Sequence, residues 1–351
     1  MEVIADLAPM SGALPGEAVA GGGLATGPWL SANSDSALLY RFTLQALEIR
    51  SIAPPASEIP EALATLNTAQ LPADPAEDLA ISLVSPVTLD GTALFLVYVR
   101  DALLQTGRLY AFNPYTLAVD TIAAEVPHNA ISFSVSAPVR AGGGSSTEWE
   151  FSIACFGLPG GKALLGNLAI GPDGAQLTAL KRHAMHSHKS DVISTHVLVM
   201  PGSNGRAFVF LCTASGQVSV LEYNAFGARQ IRSVGTVTEE PRMGGAACVT
   251  AAALGDDSCI LTVGYNAPTH RGALAAVATH EIAIKRSKRL DQPMHATFKG
   301  LVRIEGSLLD NGAGSAEDTV ASLAGATIAQ LAIYDMRHEA HPSGAPGPLV
   351  I

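Results

Sequence analysis

Five glycines spaced 53–56 residues apart constrain this chain more than any other feature: Gly107, Gly161, Gly216, Gly272 and Gly325. An apolar run precedes each one and an extended run follows it. Runs such as Thr92–Arg100 (TALFLVYVR), Ala207–Thr213 (AFVFLCT) and Cys259–Tyr265 (CILTVGY) are β-branched and aromatic, with turn residues on both sides. Those are strand signals, and strands apolar on both faces belong in the middle of a sheet. The following runs, GRLYAFNPYTL, GQVSVLEYNAF and GATIAQLAIYD, alternate more and close each pair as a hairpin.

Self-similarity at this period, with about four strands per unit, predicts an all-β fold: a single β-propeller of six or seven blades, each of about four antiparallel strands. The units fall at about 2–52, 78–124, 129–183, 188–236, 245–290 and 296–351. Residues 53–77 form a Pro/Ala-rich insertion, whose segment Glu58–Asn67 carries Ala and Leu at helical spacing and is expected to be helical. The ring is expected to close through Pro348–Ile351 or Glu2–Leu7. Phe95, Val97, Phe151, Ile153, Val209, Leu211, Ile260 and Leu261 lie in the inner strands and are the predicted core.

The best-preserved unit, Ser187–Asn224, reads SHKSDVISTHVLVMPGSNGRAFVFLCTASGQVSVLEYN. It resembles a WD40 repeat: His188 and Val192 match the start, Thr213–Gly216 the turn, and Leu221–Glu222 replaces the usual Trp–Asp. A weaker copy opens at His128 (HNAISFSV). TASG and LAGA stand where the family places an acidic turn residue, so the family's internal His–Asp network is not intact. The resemblance implies a propeller and, by size, is similar to nuclear-pore and mitotic-checkpoint propellers that hold peptides on one face.

Charge narrows the partners. The net charge is −10, of which residues 1–90 carry 11 acids against 2 bases, so nothing attracts nucleic acid generally and no direct nucleic-acid contact is expected. Cys155, Cys212, Cys248 and Cys259 sit in apolar runs with no Cys-x-x-Cys spacing, which predicts reduced, buried thiols and an intracellular, cytoplasmic or nuclear, setting. The N-terminus lacks a signal-peptide pattern, and no run approaches the roughly 20 apolar residues of a membrane span.

No Gly-x-Ser-x-Gly, His-Glu-x-x-His or Walker-type loop is present. His183, His186 and His188, with Asp191 and His196 nearby, are the residue types zinc accepts. They lie in a connection between units, so neither a metal nor another cofactor is expected. The basic run Lys285, Arg286, Lys288 and Arg289 reads as an outer edge strand. Loops joining second to third strands share a face with those joining units, which gathers Arg100, Arg108, Lys189, Arg242, His270 and Arg271 on one rim. A basic rim suits an acidic or phosphorylated peptide. The sequence therefore predicts a non-catalytic scaffold that holds other protein subunits. The alternatives are a metal-dependent hydrolase or lactonase-type propeller, or a subunit of a ribonucleoprotein or membrane complex.

Overall fold

A computed structural model of the chain describes residues 21–25, 37–52, 62–72, 78–89, 92–140, 150–171, 174–184, 190–200, 205–224, 231–237, 246–255, 257–266, 273–284, 294–305, 333–334 and 349–350. The first sheet is β1 (Gly21–Ala25), β2 (Ala37–Phe42), β3 (Ala46–Ile52) and β4 (Ala62–Asn67). The second is β5 (Leu79–Leu89), β6 (Thr92–Asp101), β7 (Thr106–Phe112) and β8 (Val119–Val126). The third holds β9 (Ser132–Val135), β10 (Val139–Arg140), β11 (Glu150–Leu158), β12 (Lys162–Gly171) and β13 (Gly174–Ala184). The fourth is β14 (Val192–Val199), β15 (Arg206–Thr213), β16 (Val218–Asn224) and β17 (Ile231–Val237). The fifth is β18 (Ala246–Gly255), β19 (Ser258–Asn266), β20 (Ala273–Ile284) and β21 (Met294–Glu305). A two-stranded ladder, β22 (Ile333–Tyr334) with β23 (Leu349–Val350), forms a separate sheet whose β22 contacts β18.

Every sheet is an antiparallel meander in sequence order. The third has one extra strand because its first strand is broken. Both β9 and β10 pair with β11, and Ser136 bridges the gap by bonding Ile153 through its backbone and its hydroxyl. The fold is thus five four-stranded units in a propeller arrangement. Among the described residues the count is five, and the expected six or seven is corrected. The strand from Met294, read from sequence as opening a sixth unit, pairs along β20 and closes the fifth sheet instead.

Period-2 alternation explains why these sheets stack. On β6, Phe95, Val97 and Val99 pack toward the first sheet, while Leu96 and Tyr98 pack toward the third. On β11, Ala154 and Phe156 meet the second sheet, and Ile153 and Cys155 meet the fourth. On β15, Val209 and Leu211 meet the third sheet, and Phe208 and Phe210 the fifth. Each central strand is buried on both faces, which is what a doubly apolar strand requires. Of the expected core, Phe95, Val97, Phe151, Ile153, Val209, Leu211 and Leu261 are buried and Ile260 is half-buried. All four cysteines are buried thiols, none of them in a disulfide.

The first strands of successive sheets contact one another, β1 with β5, β5 with β9, β9 with β14 and β14 with β18. They form one continuous row. Hydroxyls stitch it: Ser132 donates to the Val192 carbonyl at 2.9 Å, Ser134 and Thr195 share a 2.9 Å bond, and Val249 N–H donates to Ser194 Oγ at 3.1 Å.

The expected helix is corrected too. Ala62–Asn67 is β4, the outer strand of the first sheet, followed by a single 3-10 turn at Thr68–Gln70. Ala64 and Leu66 are buried and Thr65 and Asn67 exposed, so pairing with β3 overrides a weak helical spacing over so short a stretch. Among the described residues no helix is long and apolar enough to cross a membrane.

Candidate functional site

A cavity of about 320 Å³ opens where the second sheet meets the third. It is lined by Pro127 and Asn129 from the β8–β9 connection, Leu158 at the end of β11, Pro159 from the β11–β12 turn, Lys162 and Leu164 on β12, and Arg182 on β13. The hairpin register makes the cationic side. Leu164 pairs with Arg182 and Lys162 with Ala184, so Lys162, Leu164 and Arg182 share one face, the face whose Leu164 packs toward the second sheet. Gly160 and Gly161 both have positive φ, at 68° and 69°, and let the turn fold tightly enough to bring Lys162 to the rim.

Lys162 is half-buried, and Arg182 and Asn129 are exposed. Among the described residues none of the three side chains has a hydrogen-bond or ion-pair partner. Two cations and an amide therefore line one cavity, against apolar walls from Pro127, Leu158, Pro159 and Leu164.

Arg100, next to last on β6, lies on the face toward the third sheet, and its guanidinium donates to the Ala130 carbonyl. Two residues earlier, the Tyr98 hydroxyl donates to the Pro127 carbonyl at 2.5 Å. Burial pushes the Tyr98 phenol up, against the opposing pull of the Arg100 charge. Arg108 pairs with Val99, which packs toward the first sheet, so Arg100 and Arg108 point to opposite faces of the second sheet rather than into one patch. His128 is exposed in the same connection as Asn129. Lys189, Arg242, His270, Arg271, His188, Gly272 and Gly325 lie outside the described residues. So do His186 and the run Lys285–Arg289.

Gly107, Gly161 and Gly216 lie at or beside the turns that join second and third strands. Val192 opens β14 and is buried, and Leu221 packs between the third and fourth sheets while Glu222 pairs with Arg206 at 2.5 Å. His183 on β13 and His196 on β14 sit on strands at opposite edges of adjacent sheets. The exposed Asp191 accepts from the Gly160 N–H at 2.8 Å. Among the described residues no three metal-ligating side chains converge.

Lys162, Arg182 and Asn129 were not singled out by the sequence. The signal that could have found them is the hairpin register: Lys162 follows the recurring glycine directly, and Arg182 lies almost opposite it across the β12–β13 pair.

No protein-family model and no curated protein matches the chain. Solved structures do. A family-43 β-xylosidase/α-arabinofuranosidase from a compost microbial metagenome matches with TM-score 0.42 and 7% identity, over 79% of this chain and 94% of that one. AofleA from Arthrobotrys oligospora matches with TM-score 0.42 and 11% identity, over 81% and 74%. The fission yeast SREBP–SCAP binding domains match with TM-score 0.39 and 10% identity, over 82% and 90%. The five four-stranded sheets support a propeller, and none of these matches assigns it to the WD40 subclass.

The expectation of a non-catalytic scaffold is corrected as well. Glycoside hydrolases recur among the matched structures, and neither the scaffold reading nor the metal-hydrolase alternative is the type found among them. At these scores the likeness ends at architecture; no substrate or catalytic residue passes to this chain.

Proposed function

We propose that this propeller receives a small molecule carrying a carboxylate or phosphate group in the cavity between its second and third sheets. The observation that carries the reading is the convergence of Lys162 and Arg182, unpartnered among the described residues, on that cavity. Arg presents a planar fork of donors that matches carboxylate and phosphate oxygens, and Lys adds a point charge beside it. The apolar walls favour a compact ring whose C–H face packs on proline and leucine, and Asn129 offers both a donor and an acceptor to hydroxyls. An acidic sugar or a sugar phosphate combines these features. The cavity lies within the size range of small-molecule sites, at its lower end.

Titration calorimetry with glucuronate, glucose 6-phosphate and glucose tests the reading. The charged sugars should bind, glucose should not, and added salt should weaken the binding. Lys162→Ala and Arg182→Ala should each cost about 1.5–3 kcal/mol, roughly ten- to a hundredfold in Kd. Binding of glucose as tight as that of the charged sugars, or none of any of them, overturns it.

A further inference from the structure

Resting on that reading, we propose that Tyr98, Arg100 and Gly107 are positioning residues that clamp the cavity wall and thereby set Asn129 for the uncharged part of the ligand. Tyr98 and Arg100 project from the same face of β6, two residues apart, and hold the two ends of one short segment. Tyr98 takes the Pro127 carbonyl and Arg100 the Ala130 carbonyl. Between those anchors lie His128 and Asn129, and both Pro127 and Asn129 line the cavity.

Gly107 makes the clamp sterically feasible. It pairs with Arg100 across the β6–β7 hairpin, and a Cβ there would stand 2.7 Å from Tyr98 Cε2, 2.9 Å from its hydroxyl and 3.0 Å from the Pro127 carbonyl oxygen. Real Cβ atoms essentially never come within 3.0 Å of another heavy atom, so the Tyr98 ring would have to shift. The glycine that marks the repeat in the sequence thus leaves room for the phenol to reach the wall.

Division of labour follows from the geometry. Lys162 and Arg182 belong to the third sheet and meet the anionic group without help from the clamped segment, whereas Asn129 sits where the clamp puts it. Loosening the clamp should therefore weaken recognition of the sugar portion and spare recognition of the bare anion.

The test measures two probes, glucose 6-phosphate and inorganic phosphate, on the full chain and on Tyr98→Phe, Arg100→Ala, Arg100→Lys and Lys162→Ala. Tyr98→Phe and Arg100→Ala should weaken glucose 6-phosphate roughly three- to tenfold, the scale of one lost hydrogen bond, and leave phosphate within about twofold. Arg100→Lys, which keeps a donor, should restore part of the loss. Lys162→Ala should weaken both probes together. If Tyr98→Phe and Arg100→Ala weaken both probes in parallel with a fall in Tm, the contacts are merely structural and the proposal fails. It fails equally if neither probe is affected. The anion site itself fails, and the clamp with it, if the unaltered chain binds neither probe or if Lys162→Ala leaves both unchanged.

Discussion

Phe210 and Leu211 are neighbours on β15, and both are fully buried. Because successive side chains on a strand point to opposite faces, Phe210 enters the interface with the fifth sheet and Leu211 the interface with the third. Leu211→Ala removes three carbon groups worth about 0.8 kcal/mol each in transfer energy. That is about 2.4 kcal/mol before any cavity term, and the unrelaxed space brings the expected cost to about 2–5 kcal/mol. Phe210→Ala should cost about 3–5 kcal/mol on the same grounds. Leu103→Ala, at a residue 67% exposed on the β6–β7 turn, is the control and should cost less than about 0.5 kcal/mol. Guanidinium unfolding followed by circular dichroism gives all three values. A sheet solvated on one face would make one of the two adjacent truncations nearly neutral. A cost under about 1 kcal/mol for either therefore refutes two-sided burial, and with it the stacking of five sheets.

Two further outcomes follow from individual contacts. Gly157→Ala would set a Cβ 2.1 Å from Ser132 Oγ and 2.6 Å from the Val192 carbonyl, so it should destabilise by at least about 1–3 kcal/mol; unchanged denaturant stability would show that the inner strands have room to part. Burial pushes the His196 imidazole down to about 4, opposed by a bond with the Ala251 backbone. Its unfolded counterpart gains a proton near 6.5, so the unfolded state binds more protons between those values and stability should fall as pH drops through that window, being complete above it. His196→Gln should flatten that part of the stability curve, and an unaltered pH dependence would contradict the burial of a neutral imidazole.

Strands and hairpins were legible because they rest on local chemistry. The two-sided apolar runs around Phe95, Val209 and Leu261, and the turn glycines at 107, 161 and 216, each announce themselves within a few residues. What failed needed knowledge of partners. Ala62–Asn67 is short and rich in Ala and Leu, so its helical and extended readings differ little until β3 offers an edge to pair with. The strand from Met294 reads as a strand in either case; only its register along β20 says that it ends the fifth sheet rather than opening a sixth. Arg100 and Arg108 were grouped by proximity to one turn, yet the hairpin register sets them one paired position apart: Arg108 lies opposite Val99, not Arg100, and so takes the other face. The cavity assembles Asn129, Lys162 and Arg182 from three separated segments, without a motif that joins them in sequence.

The anion site is tested most directly by a crystal structure of the chain grown with glucose 6-phosphate. A phosphate group is expected within hydrogen-bond distance, roughly 2.7–3.2 Å, of both Lys162 Nζ and the Arg182 guanidinium, with the sugar ring against Pro127 and Pro159. A ligand bound elsewhere on the propeller, with the cavity between the second and third sheets holding only solvent, would contradict it.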